Sequence, residues 1–99
     1  MATTAQESSG NVFSDLGFEP DEAQNLRIRA DLMIEISKLI EARNLTQTAA
    51  AELLKVTQPR ISDLVRGKID RFSVDSLIEM LGHAGARVSI VVTPGRNVA

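Results

Sequence analysis

The chain of 99 residues contains no cysteine, so disulfide frameworks and thiolate metal sites are excluded. His83 is its single histidine, too little for a catalytic zinc centre or a histidine-based triad. No apolar run reaches the length that crosses a bilayer, and no basic stretch followed by an apolar core opens the chain. The expectation is a cytoplasmic protein without a membrane partner. Glycine-rich phosphate cradles are missing too. Gly82-His83-Ala84-Gly85 has too few glycines and no Lys-Thr after it, and reads as a helix end. Without paired carboxylates in an apolar setting, an enzyme is not expected, nor is a cofactor or metal.

What is present fits one small domain with tails, short enough that a partner chain would help to complete its core. Net charge is −2, yet the charges are unevenly placed. Residues 1–20 carry three acids and no base. Residues 45–72 carry Lys55, Arg60, Arg66, Lys68 and Arg71 against Glu52, Asp63 and Asp70, a local balance of +2. The bias is small but falls in the region that also holds the clearest motif.

The chain divides into four parts. Residues 1–19 form a tail whose first ten residues are small and polar, expected to be disordered. They are followed by a short apolar segment with Val12, Phe13, Leu16 and Phe18. That segment is too short to fold alone and must pack on its own domain or on a partner. Residues 20–85 carry helical patterning, 86–93 a strand, and 94–99 a second tail. The first long helix is predicted from Asp21, as N-cap with Gln24 at N3, and its apolar stripe is Leu32, Met33, Ile36, Leu39 and Ile40. Ser73 is predicted to cap the last helix, with Phe72 and Leu77 as a hydrophobic staple and Val74, Leu77, Ile78 and Leu81 as its buried stripe.

Between these lies the stretch from Leu45 to Lys68. It reads as two short helices, each opened by Thr-Gln and eleven residues apart at Gln47 and Gln58. Thr46 and Thr57 are the expected caps, and Pro59 falls in a first turn, where it removes no helical hydrogen bond. Ala50 and Ala51 allow a close helix crossing, and Val56 plugs the turn. Ile61, Leu64 and Val65 are expected to face the core, and Gly67 to end the helix. The second helix is polar on its outer side, the pattern of a helix-turn-helix that sets its second helix in a DNA major groove.

Arg87 to Thr93 is a β-branched run between Gly85 and Pro94. A lone strand leaves its backbone unpaired, so Arg87, Val88, Ser89, Ile90, Val91 and Val92 are expected to pair with a second copy across a two-fold axis. Pairing within the chain is the alternative.

The residues Leu45-Thr46-Gln47, Ala51, Val56, Thr57-Gln58, Ile61-Ser62, Leu64 and Arg66-Gly67 resemble the Cro/C1-type, XRE-like helix-turn-helix family. Asn11-Val12-Phe13-Ser14-Asp15-Leu16-Gly17 and the run from Arg87 to Thr93 are similar to small XRE-like proteins of the HigA antitoxin type, encoded beside a RelE-like toxin. The resemblance implies an all-α, lambda-repressor-like DNA-binding domain of four to five helices with one C-terminal dimerising β-strand. It further implies a homodimeric repressor that binds double-stranded DNA at a palindromic operator, controls its own operon and neutralises a toxin. A stand-alone XRE-like regulator and a protein-interaction module that no longer binds DNA are the alternatives. In this chain Lys55 stands where the family usually has glycine, and Asp63 where it often has a basic or neutral residue.

The expected DNA-binding residues are Gln47, Thr57, Gln58, Pro59, Arg60, Ser62, Asp63, Arg66, Lys68 and Arg71. Gln58 enters the groove first, and its family equivalent reads a base edge, commonly adenine. The equivalent of Gln47 holds a phosphate or braces Gln58. Arg60 is expected to project outward, toward guanine or a phosphate. Ser62 reaches only a near sugar or base, and Arg66 is as much structural as DNA-facing. Lys68 and Arg71 flank the next loop and position the backbone. Asp63 is expected to orient a guanidinium, that of Arg66 or Arg60, ahead of accepting from cytosine N4.

Overall fold

Asn11 shows how the N-terminal segment is held. Its side chain accepts the Phe13 N–H at 2.9 Å, capping helix α1, Val12–Asp15, and donates to the Ala23 carbonyl at 3.1 Å. One amide therefore opens a helix and ties it to the next one. Gly17, at φ +98°, turns the chain so that Phe18 meets Phe13 edge-on, ring centroids 6.1 Å apart. The segment is thus tied to the next helix through Asn11, while Val12, Leu16 and Phe18 stay exposed.

The computed structural model describes residues 11–94, and among them are five α-helices. After α1 come α2, Pro20–Ala42; α3, Gln47–Leu54; α4, Gln58–Val65; and α5, Val74–His83, with a 3-10 turn, Ile69–Arg71, before the last. The all-helical expectation holds for these residues. The disorder expected of residues 1–10 and most of the C-terminal tail, 95–99, lie outside them.

α2 begins earlier than the Asp21 cap implies. Glu19 is the N-cap, without a side-chain bond, and Pro20 takes the first helical position. Proline's fixed φ suits that place, and its missing N–H removes nothing a helix start would use. Asp21 and Glu22 fall instead in the first turn, where the helix dipole favours acids. α2 buries Ala23, Leu26, Met33, Ile36 and Ile40, with Leu32 and Leu39 half-buried beside them. Asn44, at φ 55°, turns the chain out of it.

α3 and α4 form where their caps lie. The Thr46 hydroxyl accepts the Ala49 N–H at 3.1 Å, and the Thr57 hydroxyl accepts the Arg60 N–H at 3.4 Å. Ala50, Ala51 and Leu54 are buried from α3, Ile61 and Leu64 from α4. Val65 is not a core residue: it is 44% exposed, on the flank of an eight-residue helix whose buried stripe is already Ile61 and Leu64. Ser73 caps α5 through a reciprocal pair with Ser76, each hydroxyl accepting the other's N–H at 3.1 Å. Phe72 and Leu77 are both buried, as a staple requires. Leu77, Met80 and Leu81 join Met33, Ile36, Leu54, Ile61 and Leu64 in one core. Burial of each large side chain contributes about 1.5–3 kcal/mol.

Two arginines fasten α2, Arg29 from its first half and Arg43 from its C-cap. Arg29 donates from Nη1 to the carbonyls of Ile69 and Phe72 at 3.1 and 3.2 Å, and from Nε to Asn25. Arg43 donates to the Ala84 carbonyl at 3.3 Å.

The C-terminal run does not form the expected strand in the single chain. Residues 86–94 carry no assigned secondary structure. Val88 packs against the core, while Ile90, Val91 and Val92 are 73%, 84% and 85% exposed. The physical reason is that a ladder needs a second strand, and the rest of the described chain is helical.

Candidate nucleic-acid interface

The turn between α3 and α4 rests on Lys55. Its φ and ψ, 59° and 46°, are left-handed, a conformation that costs a non-glycine residue about 1–2 kcal/mol. That geometry reverses the chain within three residues, lets the Val56 N–H reach the Ala51 carbonyl at 3.0 Å, and sets Val56 half-buried against the core. Thr57 then starts α4 with an extended backbone. Gln58 and Pro59, the first two residues of α4, are exposed, as is Gln47 at the first position of α3. The two glutamines thus stand at the open N-terminal ends of the two helices, where unused N–H groups also lie. No hydrogen bond joins Gln47 to Gln58 among the described residues.

The other expected DNA contacts are arranged differently from their sequence pattern. Arg60 does not project freely. Its guanidinium lies over the Phe72 ring, 4.4 Å from the centroid, and Nη1 donates to the Arg71 carbonyl at 2.8 Å. Asp63 does hold basic side chains, but neither Arg60 nor Arg66. Its carboxylate faces Arg71 Nη1 at 3.4 Å and Lys68 Nζ at 3.9 Å. The Asp63 side chain is 20% exposed, those of Lys68 and Arg71 38% and 56%. Ser62 is half-buried; Arg66, the C-cap of α4, is exposed. Arg60, Asp63, Lys68 and Arg71 therefore come together on one side of α4, with Gln58 ahead of them in the chain.

Two residues of this site were not singled out by sequence reasoning. Phe72 carries Arg60 as well as stapling α5. Arg29 holds the backbone on both sides of Arg71. The signal for Arg29 was its register: it lies three residues after Leu26 and four before Met33, inside the apolar stripe of α2. A charged residue in that register has a buried backbone to satisfy. Among the described residues no group of His, Asp or Glu is placed to hold a metal ion, and no helix is long and apolar enough to cross a membrane.

A second feature borders α4. An open groove of about 510 Å3 runs between α1, α2 and the end of α4, with Phe13, Met33, Ile34, Leu64, Val65 and Ile69 in its walls. Ile34 is 52% exposed there.

Residues 12–93 match a family model described as a helix-turn-helix domain. A solved structure described as an XRE-family transcriptional regulator superposes with a TM-score of 0.70, at 28% identity, over 79% of this chain and 88% of that one. No curated protein matches the chain.

Proposed function

The chain belongs to this helix-turn-helix domain family, and on that premise we propose that it is a sequence-specific DNA-binding repressor acting as a homodimer on a palindromic operator of its own operon. The observation that carries the reading is the entry end of α4. Exposed Gln58 and Pro59 open a helix anchored by buried Ile61 and Leu64, and Lys68 and Arg71 stand just beyond its far end. Gln58 reads a base edge, while Lys68 and Arg71 hold phosphates. The XRE-family regulator with which the chain superposes supports a DNA-binding regulator.

The test is a gel-shift titration on the DNA upstream of the chain's own gene and on a scrambled duplex. Gln58→Ala is expected to lose about 1–3 kcal/mol on the operator and much less on scrambled DNA. Lys68→Ala weakens both similarly and flattens the salt dependence. If the two variants behave alike on both duplexes, the division between reading and positioning residues is wrong. If the unaltered protein binds neither duplex at low salt, the DNA-binding reading fails and the interaction-module alternative stands.

Dimerisation is assigned to residues 87–92. Ile90, Val91 and Val92 expose three consecutive β-branched side chains, and a second copy supplies the missing ladder. A toxin-neutralising role for the same protein is supported by the groove beside α1. Val12 on α1 and Leu16 at its C-cap are exposed, as are Ile34 and Val65 at the groove, all apolar and apart from the exposed Gln58 and Pro59. Deleting residues 1–18 is expected to spare operator binding and to abolish neutralisation of a co-expressed RelE-like toxin. Neutralisation that survives the deletion removes that role from α1.

A further inference from the structure

One carboxylate stands among the cations beyond the recognition helix. Asp63 is on α4 itself, and its two oxygens divide between two partners: Oδ1 lies 3.9 Å from Lys68 Nζ and Oδ2 lies 3.4 Å from Arg71 Nη1. These are the two side chains assigned to DNA phosphates. Both distances are long for charge-assisted hydrogen bonds, which run to about 2.7–2.9 Å. Both cations are substantially exposed, so each can leave the carboxylate without breaking the fold. Asp63, by contrast, is mostly covered and fixed on a helix. The cations are the more exposed partners, and the acid the more covered one.

We infer that Asp63 is an internal phosphate mimic: it occupies Lys68 and Arg71 in the free protein, so that a DNA phosphate must take them from it, and this holds down sequence-independent affinity. The inference rests on the DNA-binding reading and adds a residue whose effect is to weaken binding. The Arg71 backbone is fixed independently of the latch. Its carbonyl accepts Arg60 Nη1 at 2.8 Å, and the neighbouring Ile69 and Phe72 carbonyls accept Arg29. Losing the carboxylate therefore frees the Arg71 side chain without releasing the turn. An acid that only organised the loop would be redundant with these three backbone bonds. One that competes with phosphate is not.

Asp63→Asn keeps the shape and removes the charge. Each exposed ion pair is worth little, and the loss of two predicts roughly 2- to 30-fold tighter binding, to operator and scrambled duplex alike. Asp63→Glu keeps the charge and should behave as the unaltered protein. A second measurement needs no DNA: inorganic phosphate, titrated while the Lys68 and Arg71 side-chain resonances are followed by NMR, should shift them at lower concentration in Asp63→Asn. Weaker or unchanged duplex binding by Asp63→Asn overturns the inference, as does a phosphate titration identical to that of the unaltered protein. A clear difference in the phosphate titration with no duplex binding by any variant supports the latch and overturns the DNA-binding reading instead.

Discussion

Arg60 and Phe72 should prove energetically coupled in the folded protein without DNA. The perturbations are Phe72→Leu, Arg60→Met and the two together. Phe72 is 3% exposed and sits in the core, so Phe72→Leu keeps an apolar side chain but leaves it smaller; repacking costs about 1–1.5 kcal/mol. It also removes the ring beneath the guanidinium, 4.4 Å away. Arg60 is half-buried, which sets the cation–π contribution near 1 kcal/mol, between the exposed and the desolvated limits. Phe72→Leu should therefore cost about 2–2.5 kcal/mol. Arg60→Met keeps the aliphatic stem and loses both the ring contact and the bond to the Arg71 carbonyl, in sum about 1.5–2.5 kcal/mol. The ring contact is lost once in the double variant and counted in each single one. The double variant should thus be about 1 kcal/mol less destabilised than the sum. The assay is urea unfolding at fixed protein concentration, followed by far-ultraviolet circular dichroism, since the chain has neither tryptophan nor tyrosine. A coupling below about 0.3 kcal/mol is within ordinary additivity and would refute the stacking argument. Arg60 would then leave only the Arg71 carbonyl on reaching for the groove.

Three further outcomes are expected. Ile90→Pro removes a backbone donor from the middle of the exposed C-terminal run and should give monomers by light scattering; a protein that stays dimeric places the interface elsewhere, most simply on α5. Lys55→Gly relieves the left-handed turn but adds freedom to the unfolded chain, for a net gain of about 0.5–1 kcal/mol in denaturant unfolding; a loss of that size would mean the Lys55 side chain contributes more than its strain costs. Ser73→Ala should lower stability by about 1 kcal/mol and Ser73→Asp should recover most of it, both read from thermal melts; an Asp variant no better than the Ala one would show that the hydroxyl is not serving as a cap.

Local chemistry made most of the fold legible. Thr46, Thr57 and Ser73 each cap the helix that follows them, because the signal lies within three residues of the effect. Gly67 and Gly85 take the positive φ that their places after helices suggest. The left-handed turn at Lys55 was visible only through the glycine that related sequences have there. The start of α2 was misplaced because Asp21 resembles a cap, while Pro20 decides the boundary by its ring. Val65 continues an apolar pattern, yet α4 is too short for its flank to be covered. In the site, Gln47 and Gln58 could be placed from sequence, since exposure at a helix start is a local property. The partners of Asp63 could not. Helical spacing pointed to Arg60 and Arg66, whereas the turn after Gly67 brings back Lys68 and Arg71. Arg60 on Phe72 is likewise a meeting of residues twelve apart, fixed by where Arg29 pins the intervening turn.

The two arginine clasps on α2 also bear on mechanics. Arg29 fixes that helix, within its first half, to the turn that follows α4, and Arg43 fixes its far end to the close of α5. The helix is 23 residues long, about 34 Å at 1.5 Å per residue. Val88 is still seated on the core, only two residues before Ile90. A pair of copies joined through that run would therefore behave as a caliper with only a short flexible stretch between jaw and pivot. Inserting one base pair between half-sites moves one of them by about 3.4 Å and rotates it by roughly 35°. The short exposed run after Val88 could take up only part of that change, so the DNA would twist or bend to meet the rest, at a free-energy cost set by the sequence of the spacer. Selectivity would then extend to base pairs that neither copy touches.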